Sequence, residues 1–370
     1  MVKNRQLFFV MAAIGVAVMA LNSCKEKNIE EVKYDFEHNY ADLNQAQLIG
    51  KKIFFDTRLS NPAGLSCAGC HAPQNGFSDV GNRPFSEGAV TGSFINRNAS
   101  SLAYLSFVPA RFYNSDDSTY VGGLFMDGRV NSFEEQAIKP LLNHLEMNAG
   151  SGAEIVEKIK NSDYASLFKR TYGATIFEDT TAALQAALQS LAAFERSEQL
   201  SPFSSKYDLY LAGEVNLTEQ EMRGLKLFND TAKAKCANCH PSTEDEDAGV
   251  VLFTDFTYDN IGLPPNPNSP VAGPDLGLGA VVGSAAENGK FRVPTLRNVE
   301  VSAPYFHNGV FNTLEDAVRF YSERDIPGKY PAPEVGQNVN MDELGNLQLT
   351  QQDIDDIVAF LKTLTDGYQR

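Results

Sequence analysis

The 370-residue sequence contains no tryptophan, and it has few basic residues, cysteines and histidines. Its 31 lysines and arginines stand against 47 aspartates and glutamates, so the net charge of −16 argues against a nucleic-acid partner and favours a basic protein partner. Five cysteines, four of them in closely spaced pairs, do not suit a disulfide framework for a chain of this length. The remaining composition, 43% hydrophobic and 21% charged, is typical of a globular protein long enough for two domains.

A 15-residue apolar run at 7–21 follows two basic residues near the N-terminus. It is too short to span a membrane comfortably but suits a signal peptide. The run ends in small residues before Cys24 ("LNSC"), which resembles a bacterial lipoprotein processing site. We therefore predict a signal peptide over 1–23 and a lipidated tether over 24–42, with the lipid as the only membrane attachment. This places the protein on the periplasmic side of the outer membrane, or at the cell surface; an ordinary signal peptide with Cys24 incidental is the alternative.

The other four cysteines lie in two Cys-x-x-Cys-His motifs: Cys67-Ala-Gly-Cys70-His71 and Cys236-Ala-Asn-Cys239-His240. A zinc site of two Cys-x-x-Cys pairs needs them within a few tens of residues, whereas these pairs are 166 positions apart. Covalent haem accounts for both cysteines and the histidine of each motif, because both thiols add to the haem vinyl groups and the histidine binds iron. The motifs predict two haem c groups with His71 and His240 as proximal ligands.

The segments before the two motifs are alike, "LIGKKIFFD" at 48–56 and "MRGLKLFND" at 222–230. Four positions match in register: Gly50 with Gly224, Lys52 with Lys226, Phe54 with Phe228, and Asp56 with Asp230. This is an internal duplication of a helix whose glycine permits close helix contact. The predicted fold is mostly α, with two class I cytochrome c-like haem domains in tandem and long loops. The predicted boundaries are a first haem domain over 43–199, a linker over 200–216 and a second haem domain over 217–370.

Several local signals predict where helices and loops lie. A serine or threonine with an acid three residues later, typical of a helix N-terminus, occurs at Ser132, Thr218, Thr313 and Thr350. Alanine and leucine predict a buried helix over 180–194, and apolar spacing predicts another over 351–366. Segments 263–290 and 324–347 are predicted loops, and 250–256 is a candidate strand.

The sixth iron ligand decides whether a c-type haem transfers electrons or reacts with a substrate. For the second haem the candidates are His307, Tyr321 and Met341. For the first haem they are Met126, His144 and Met147. The residue types alone do not choose among them.

Four further segments are long and specific: "LIGKKIFFDTRLS", "NRNASSL" (96–102), "FMDGRVNSFEEQAIKPLLNHLEMN" (125–148) and "FRVPTLRNVEVSAPYFHNG" (291–309). Through them the chain, from Asp42 almost to the C-terminus, resembles the bacterial di-haem cytochrome c peroxidase family, which includes the MauG enzymes. The resemblance implies that the first haem reacts with peroxide and that the second stores or supplies electrons.

The resemblance also implies roles around the first haem. Glu146 matches the distal acid/base, Gln136 its polar neighbour, and Pro140 a proline that crowds the same pocket. A carboxylate can move the proton from one peroxide oxygen to the other before the O–O bond breaks; a solvated helix-end acid is the alternative for Glu146. The loop 81–98 lacks the histidine that caps this haem in many members, so the first iron is expected to be open, unless His144 reaches it.

For the second haem, the family's sixth ligand lies fourteen residues after the histidine that corresponds to His307. In this chain that position is Tyr321. Peroxidases have methionine there and MauG-like proteins have tyrosine; Met341 remains the alternative ligand. His307 itself is expected beside the haem rather than on the iron.

Two further implications concern the space between the haems. Asn98, Ser302 and Pro304 match the ligands of a calcium ion, the last two through backbone carbonyls. Met126 replaces a tryptophan that family members have between the haems, which predicts slower or differently routed inter-haem transfer.

Together these features predict an exported di-haem peroxidase that reduces hydrogen peroxide with electrons from a small c-type cytochrome or another periplasmic donor. Two alternatives remain: a MauG-like oxidase that modifies side chains of a protein substrate, and a non-catalytic di-haem electron carrier.

Overall fold

The computed structural model describes residues 43–369. The predicted signal peptide, the tether with Cys24, and Arg370 lie outside the described residues. Within 43–369, no helix combines the length and the apolarity that a membrane crossing requires.

Helices dominate the described part of the chain, as the sequence predicted. Its α-helices are α1 (Gln45–Phe54), α2 (Cys67–Cys70), α3 (Phe133–Leu142), α4 (Gly152–Lys160), α5 (Ala165–Tyr172), α6 (Thr180–Glu195), α7 (Lys206–Leu211), α8 (Glu219–Phe228), α9 (Leu278–Val282), α10 (Leu314–Glu323) and α11 (Gln351–Lys362). Two small antiparallel sheets accompany them: β1 (Phe112–Asn114) with β2 (Thr119–Val121), and β3 (Tyr258–Asp259) with β4 (Phe291–Arg292).

The core of the first domain forms around the contact between α1 and α6. A Cβ atom added at Gly50 would lie 1.9 Å from the carbonyl oxygen of Ser190, so only glycine lets the two backbones approach this closely. One turn further on, the rings of Phe54 and Phe194 meet edge to face with centroids 5.3 Å apart.

The second domain repeats this arrangement with α8 and α11. A Cβ atom at Gly224 would lie 1.9 Å from the carbonyl oxygen of Asp356. The rings of Phe228 and Phe360 again meet edge to face, at 5.1 Å. The close helix contact predicted from the two glycines is therefore confirmed in both domains.

The predicted helix starts are confirmed as well. At Ser132, Thr218, Thr313 and Thr350 the side-chain oxygen accepts a hydrogen bond from the backbone N–H three residues later. Thr218 and Thr350 form complete capping boxes, because the acid three residues on also bonds back to the cap backbone. The alanine-rich helix predicted over 180–194 is α6.

Two local predictions need correction. The segment 250–256 is not a strand: Val251 makes only an isolated bridge, and Phe253 and Phe256 have φ of +54° and +57°, which interrupt an extended run. The predicted loop 263–290 contains the short helix α9. The predicted linker 200–216 contains α7, whose Tyr207 is buried against Phe253 and Phe360 of the second domain.

Candidate haem sites

The two proximal histidines are held in the same way. His71 Nδ1 lies 3.1 Å from the carbonyl oxygen of Phe77, and His240 Nδ1 lies 2.8 Å from that of Phe253. With Nδ1–H donating to a carbonyl, the imidazole is fixed in orientation and Nε2 is left to bind a metal. Burial lowers the pKa of His240 to about 4 and also lowers that of His71, so both rings are neutral, as an iron ligand must be.

The four motif cysteines are not joined in disulfides. Burial is the main cause that raises the pKa of Cys70 to about 11 and that of Cys236 to about 12. Neutral, buried thiols are poor ligands for a zinc ion, which binds thiolates, but they are compatible with covalent attachment of haem.

Behind the second motif lies a cavity of about 290 Å³. Cys236, Cys239 and His240 line it, and so does Tyr321 of α10. Burial raises the pKa of the Tyr321 phenol, with smaller contributions from Cys239 and Asp259, so a phenolate here needs an adjacent cation such as ferric iron. Both thiols, a neutral imidazole and a phenol around one mostly apolar cavity fit a haem c.

Met341 lies outside this cavity lining. Its side chain is 61% exposed, and its sulfur accepts a hydrogen bond from Arg324 at 3.4 Å. The structure thus brings Tyr321, and not Met341, to the cavity that His240 lines.

Two carboxylates that the sequence did not single out also border the cavity. Oxygens of Asp259 and Glu343 lie within 4.8 Å of each other and of the Cys239 sulfur, and Asn340 donates to both acids at 2.7 and 2.9 Å. Because Cys239 belongs to the haem-attachment motif, this cluster is better described as the acidic edge of the haem cavity than as a separate metal site. The acids are far from the motif in the sequence, so no local signal marked them.

Glu146 lies in the turn that follows α3, on the side of the first motif. Asn143 donates to its carboxylate at 2.6 Å, and its own carbonyl accepts from Ala89 N–H at 2.7 Å. Burial raises the pKa of the Glu146 carboxyl, and the bond from Asn143 and the charge of Arg129 oppose this only in part. Besides burial, the charges of Asp79 and then of Glu146 raise the pKa of Cys70, which indicates that the Glu146 carboxylate lies near the motif.

Gln136 and Pro140 lie one turn apart on α3, so they share a face of the helix, and both are half-buried. Pro140 also connects the helix to the Glu146 turn, because its carbonyl accepts from Met147 N–H at 3.1 Å. Met147 is buried in the core of the first domain and His144 is exposed, so neither is presented as an iron ligand.

The histidine-free loop 81–98 is packed against this turn. A Cβ atom at Gly88 would lie 2.2 Å from the carbonyl oxygen of Leu145, which fixes the loop beside Glu146. At the start of the loop, buried Asp79 accepts from Ser86 at 2.5 Å and is paired with Arg83. The loop is thus held by its own hydrogen bonds.

The three predicted calcium ligands line the same cavity, and Asn98 contacts Pro304 directly. Asn98 is buried, and its Nδ2 donates to the carbonyl of Pro304 at 2.5 Å and to that of Phe306 at 3.2 Å. Its Oδ1 is buried without a hydrogen-bond partner among the described residues. The hydroxyl of Ser302 bonds to Val299, which leaves the Ser302 carbonyl as the oxygen available to a cation. An unpaired amide oxygen among backbone carbonyls fits a hard cation such as calcium.

His307 and Met126 both line the second cavity. The His307 ring stacks on Phe291 with centroids 3.8 Å apart, and its Nε2 bonds to Glu334, so it is engaged beside the cavity rather than free to bind iron. Met126 belongs to the first domain but lies in the wall of the second haem's cavity.

Arg97 is a contact between the domains that sequence reasoning missed. It forms ion pairs at 2.6 Å with Asp127 of the first domain and with Asp275 of the second. It directly precedes Asn98 in the segment "NRNASSL", but only the folded chain shows that its partners are 30 and 178 residues away.

A helical protein with two haem-attachment motifs, each with its histidine oriented for iron, is a di-haem c-type cytochrome. The family model described as Di-haem cytochrome c peroxidase matches residues 44–216, and the Cytochrome c model matches 221–365. The methylamine utilization protein MauG of Paracoccus denitrificans is 35% identical, over 86% of this chain and 88% of that protein. Cytochrome c551 peroxidase of Nitrosomonas europaea is 30% identical, over 95% and 86% of the two chains.

Among solved structures, the diheme peroxidase BthA of Burkholderia thailandensis E264 superposes with a TM-score of 0.77 at 34% identity, covering 88% of this chain and 87% of that one. The chain belongs to the di-haem cytochrome c peroxidase and MauG family, a periplasmic family of oxidoreductases that carry two haem c groups.

Proposed function

We propose that this protein reduces hydrogen peroxide to water with electrons from an external donor such as a small c-type cytochrome. The observation that carries the proposal is the half-buried Glu146 carboxyl, with its raised pKa, beside the first haem motif. The peroxidase names among the relatives support the same reaction. Each peroxide takes two electrons and two protons and gives two waters.

When bound at Cys67, Cys70 and His71, a haem c supplies the iron at which peroxide is reduced. Glu146 accepts the proton of one peroxide oxygen and returns it to the other, which then leaves as water when the O–O bond breaks. Because burial raises its pKa, this carboxyl holds a proton at a higher pH than an exposed glutamate does, which suits a group that both accepts and donates.

Gln136 and Pro140 act on the same space in two ways. The amide of Gln136 can orient peroxide by hydrogen bonding, and the ring of Pro140 keeps the pocket narrow. The loop 81–98, fixed against the Glu146 turn by Gly88, contains no histidine that would occupy the iron. The first site is therefore open without prior reduction.

We assign Tyr321, together with His240, to hold the iron of the second haem when that group is bound, and His307 would lie beside the haem. Support comes from the shared cavity and from the exposure of Met341. A hard, anionic phenolate favours ferric and higher oxidation states, so this haem is suited to hold oxidising equivalents.

We also assign a calcium ion to the Oδ1 atom of Asn98 and the carbonyls of Ser302 and Pro304. The unpaired buried Oδ1 is the supporting observation. An Asn98→Ala variant should lose bound calcium, measured as metal content after dialysis, whereas Asn82→Ala in the exposed loop should keep it.

The proposal includes a lipid at Cys24 that holds the protein on the periplasmic side of the outer membrane. A net charge of −16 suits a basic donor protein. Labelling with radioactive palmitate, compared between the natural chain and Cys24→Ser, tests the anchor.

The decisive test of the peroxidase function is Glu146→Gln. General acid–base catalysis contributes about 10²–10⁴-fold, so peroxide turnover should fall by about 10²-fold or more while both haems remain attached. The matched control is Glu157→Gln, a fully exposed acid of the same domain, which should keep full activity. Turnover is measured with a reduced small cytochrome c, and haem content by mass spectrometry.

Full activity in Glu146→Gln would remove this residue from the mechanism. An EPR spectrum of the diferric protein is the second test of the proposed function. One high-spin and one low-spin haem are expected if the first iron is open. Two low-spin haems would show that the first site is blocked and would favour the electron-carrier alternative.

A MauG-like oxidase of protein side chains is the second candidate, favoured by Tyr321 in the cavity and by the similarity to MauG of Paracoccus denitrificans. Met126 weighs against it, because a thioether relays electrons less readily than an indole. Peroxide-dependent oxidation of a co-purifying protein, without consumption of cytochrome electrons, would favour this candidate over the peroxidase.

A further inference from the structure

Tyr104 occupies a strained position where the two domains meet. It is 1% exposed and has a φ of +63°, a conformation that a bulky aromatic residue rarely adopts. The equivalent residue of the second domain is Asn298, with a φ of +62°, and each begins a short 3-10 helix. Asparagine tolerates this conformation far better than tyrosine, so the side chain of Tyr104 has a use that its backbone geometry does not explain.

The phenol of Tyr104 is arranged for transfer of a proton. Its O–H donates to the carboxylate of Asp366, whose two oxygens both lie 2.8 Å away. The phenol oxygen in turn accepts from Phe203 N–H at 3.0 Å. Asn298 and Ser204 donate to the same carboxylate at 2.7 and 3.0 Å, which keeps it in place.

Tyr104 is also connected to the proximal ligand of the first haem. His71 Nδ1 and the backbone N–H of Leu102 share the carbonyl oxygen of Phe77, at 3.1 and 3.2 Å. Leu102 is two residues before Tyr104, so a short path of bonds runs from the His71 ring to the tyrosine.

On its other side, Tyr104 faces the cavity of the second haem motif. It lines the cavity that His240 lines, although it belongs to the core of the first domain. The guanidinium of Arg297 lies 4.8 Å from its ring centroid and 5.9 Å from that of Phe253, whose carbonyl holds His240. Tyr104 therefore lies between the hydrogen-bond networks of the two proximal histidines.

We propose that Tyr104 is a redox-active relay between the two haem sites. It gives one electron to the more oxidised site while its O–H bond breaks and the proton moves to Asp366; it regains an electron from the other site and the proton from Asp366. The inference rests on the proposed peroxidase function, which supplies peroxide as the oxidant. The cation of Arg297 over the ring favours the neutral radical over a radical cation, so loss of the electron is coupled to loss of the proton.

The test compares Tyr104→Phe with Tyr164→Phe in the di-haem protein. Tyr164 is a matched control, because it is 2% exposed and its O–H also donates to a carboxylate, Asp56, at 2.8 Å. One equivalent of peroxide is added to the diferric protein. Freeze-quench EPR then detects an organic radical, and stopped-flow spectra follow redistribution of charge between the haems.

We expect Tyr104→Phe to lose the tyrosyl signal or to slow the redistribution by about tenfold or more, equivalent to ~1.4 kcal/mol of barrier. The first reaction with peroxide should keep its rate, and Tyr164→Phe should behave as the natural chain. Slower redistribution in heavy water, lost in Tyr104→Phe, would show that the proton moves with the electron. A radical and a redistribution rate unchanged in Tyr104→Phe would overturn the relay.

Failure of the proposed function gives a different result. If the natural chain does not react with peroxide at all, the peroxidase proposal falls, and a ruthenium polypyridyl photo-oxidant replaces peroxide in the same comparison. Loss of the photogenerated tyrosyl signal in Tyr104→Phe alone would then support a redox-active Tyr104, and equal signals in both variants would exclude it.

Discussion

The two haem domains share their proximal side almost residue for residue. In each, a Cβ atom added at a glycine of the leading helix would lie 1.9 Å from a backbone carbonyl oxygen, and an edge-to-face phenylalanine pair follows one turn later. In each, a phenylalanine with positive φ presents its carbonyl to Nδ1 of the histidine. The requirements of covalent haem attachment thus constrain this side in both copies.

The far sides differ, and the difference separates two kinds of chemistry. The first domain presents a half-buried carboxyl group, Glu146, in a turn buttressed by the loop 81–98. The second presents an aromatic oxygen, Tyr321, from a helix, in the cavity that Asp259 and Glu343 border. Under the proposed function, the first site serves proton transfer with a small substrate and the second holds charge.

A smaller difference lies inside the duplicated helix pair. Next to Phe194 on α6 is Glu195, and next to Phe360 on α11 is Leu361; both are 4% exposed. A carboxyl thus occupies in the first domain the position of an apolar side chain in the second, and burial raises its pKa to about 8.

The largest expected effect comes from making the second haem like that of a methionine-ligated peroxidase. If Tyr321 binds the iron as proposed above, Tyr321→Met replaces a hard anionic ligand with a soft thioether, so the reduction potential of that haem should rise by roughly several hundred mV, within the ~0.8 V that axial ligands span. A spectroelectrochemical titration measures this. Met341→Leu, at an exposed position, is the control and should leave both potentials unchanged.

The next prediction removes the buried carboxyl from the first domain. Burial raises the pKa of Glu195 from 4.5 to about 8. Below about pH 4.5 the carboxyl is neutral in both the folded and the unfolded chain and costs no stability; stability is lost as the pH rises through about 8. At pH 9 this loss is on the order of 5 kcal/mol. Glu195→Gln should therefore melt at a higher temperature than the natural chain at pH 9 and at a similar temperature at pH 4.5. Equal melting temperatures at pH 9 would mean that the carboxylate is solvated or paired in the holoprotein.

The sequence predicted the parts of both sites that depend on local patterns. Haem attachment, the proximal histidines, the helix starts and the close contact of Gly50 and Gly224 follow from residue type and spacing. These features could be found because each one lies within a few residues or repeats along the chain.

What could not be predicted depends on long-range contacts or on single backbone angles. The positive φ of Phe253 ended an apparent strand, and α7 formed where composition indicated only a linker. The Tyr104–Asp366 bond joins residues 262 positions apart. No periodic signal marks such a pair, since it forms only after the two domains have packed.

A third prediction tests whether the two helix pairs are equally tight. Gly50→Ala and Gly224→Ala each place a methyl group against a carbonyl oxygen that cannot move without shifting a helix, so each should destabilise its domain by about 1–3 kcal/mol. Chemical denaturation followed by far-UV circular dichroism measures the loss. Gly336→Ala, with open space around it, should change stability by less than about 0.5 kcal/mol. A loss confined to one variant would show that the duplicated contact matters in only one domain.

The smallest expected effect on stability concerns the N-terminal caps of the equivalent helices α1 and α8. Asn44 and Thr218 occupy matching positions and both form complete capping boxes, so Asn44→Ala and Thr218→Ala should each cost about 1 kcal/mol.

The capping box of α8 has an added constraint, because its Glu221 also pairs with the mostly buried Lys206 of α7 at 2.7 Å. Glu221→Gln should therefore destabilise more than Gln47→Ala at low salt, and high salt should reduce the difference, since it screens the ion pair. Urea denaturation at low and at high salt measures the free energy of unfolding of each variant. If Glu221→Gln and Gln47→Ala lose the same free energy at both salt concentrations, the ion pair with Lys206 adds no stability to the second domain.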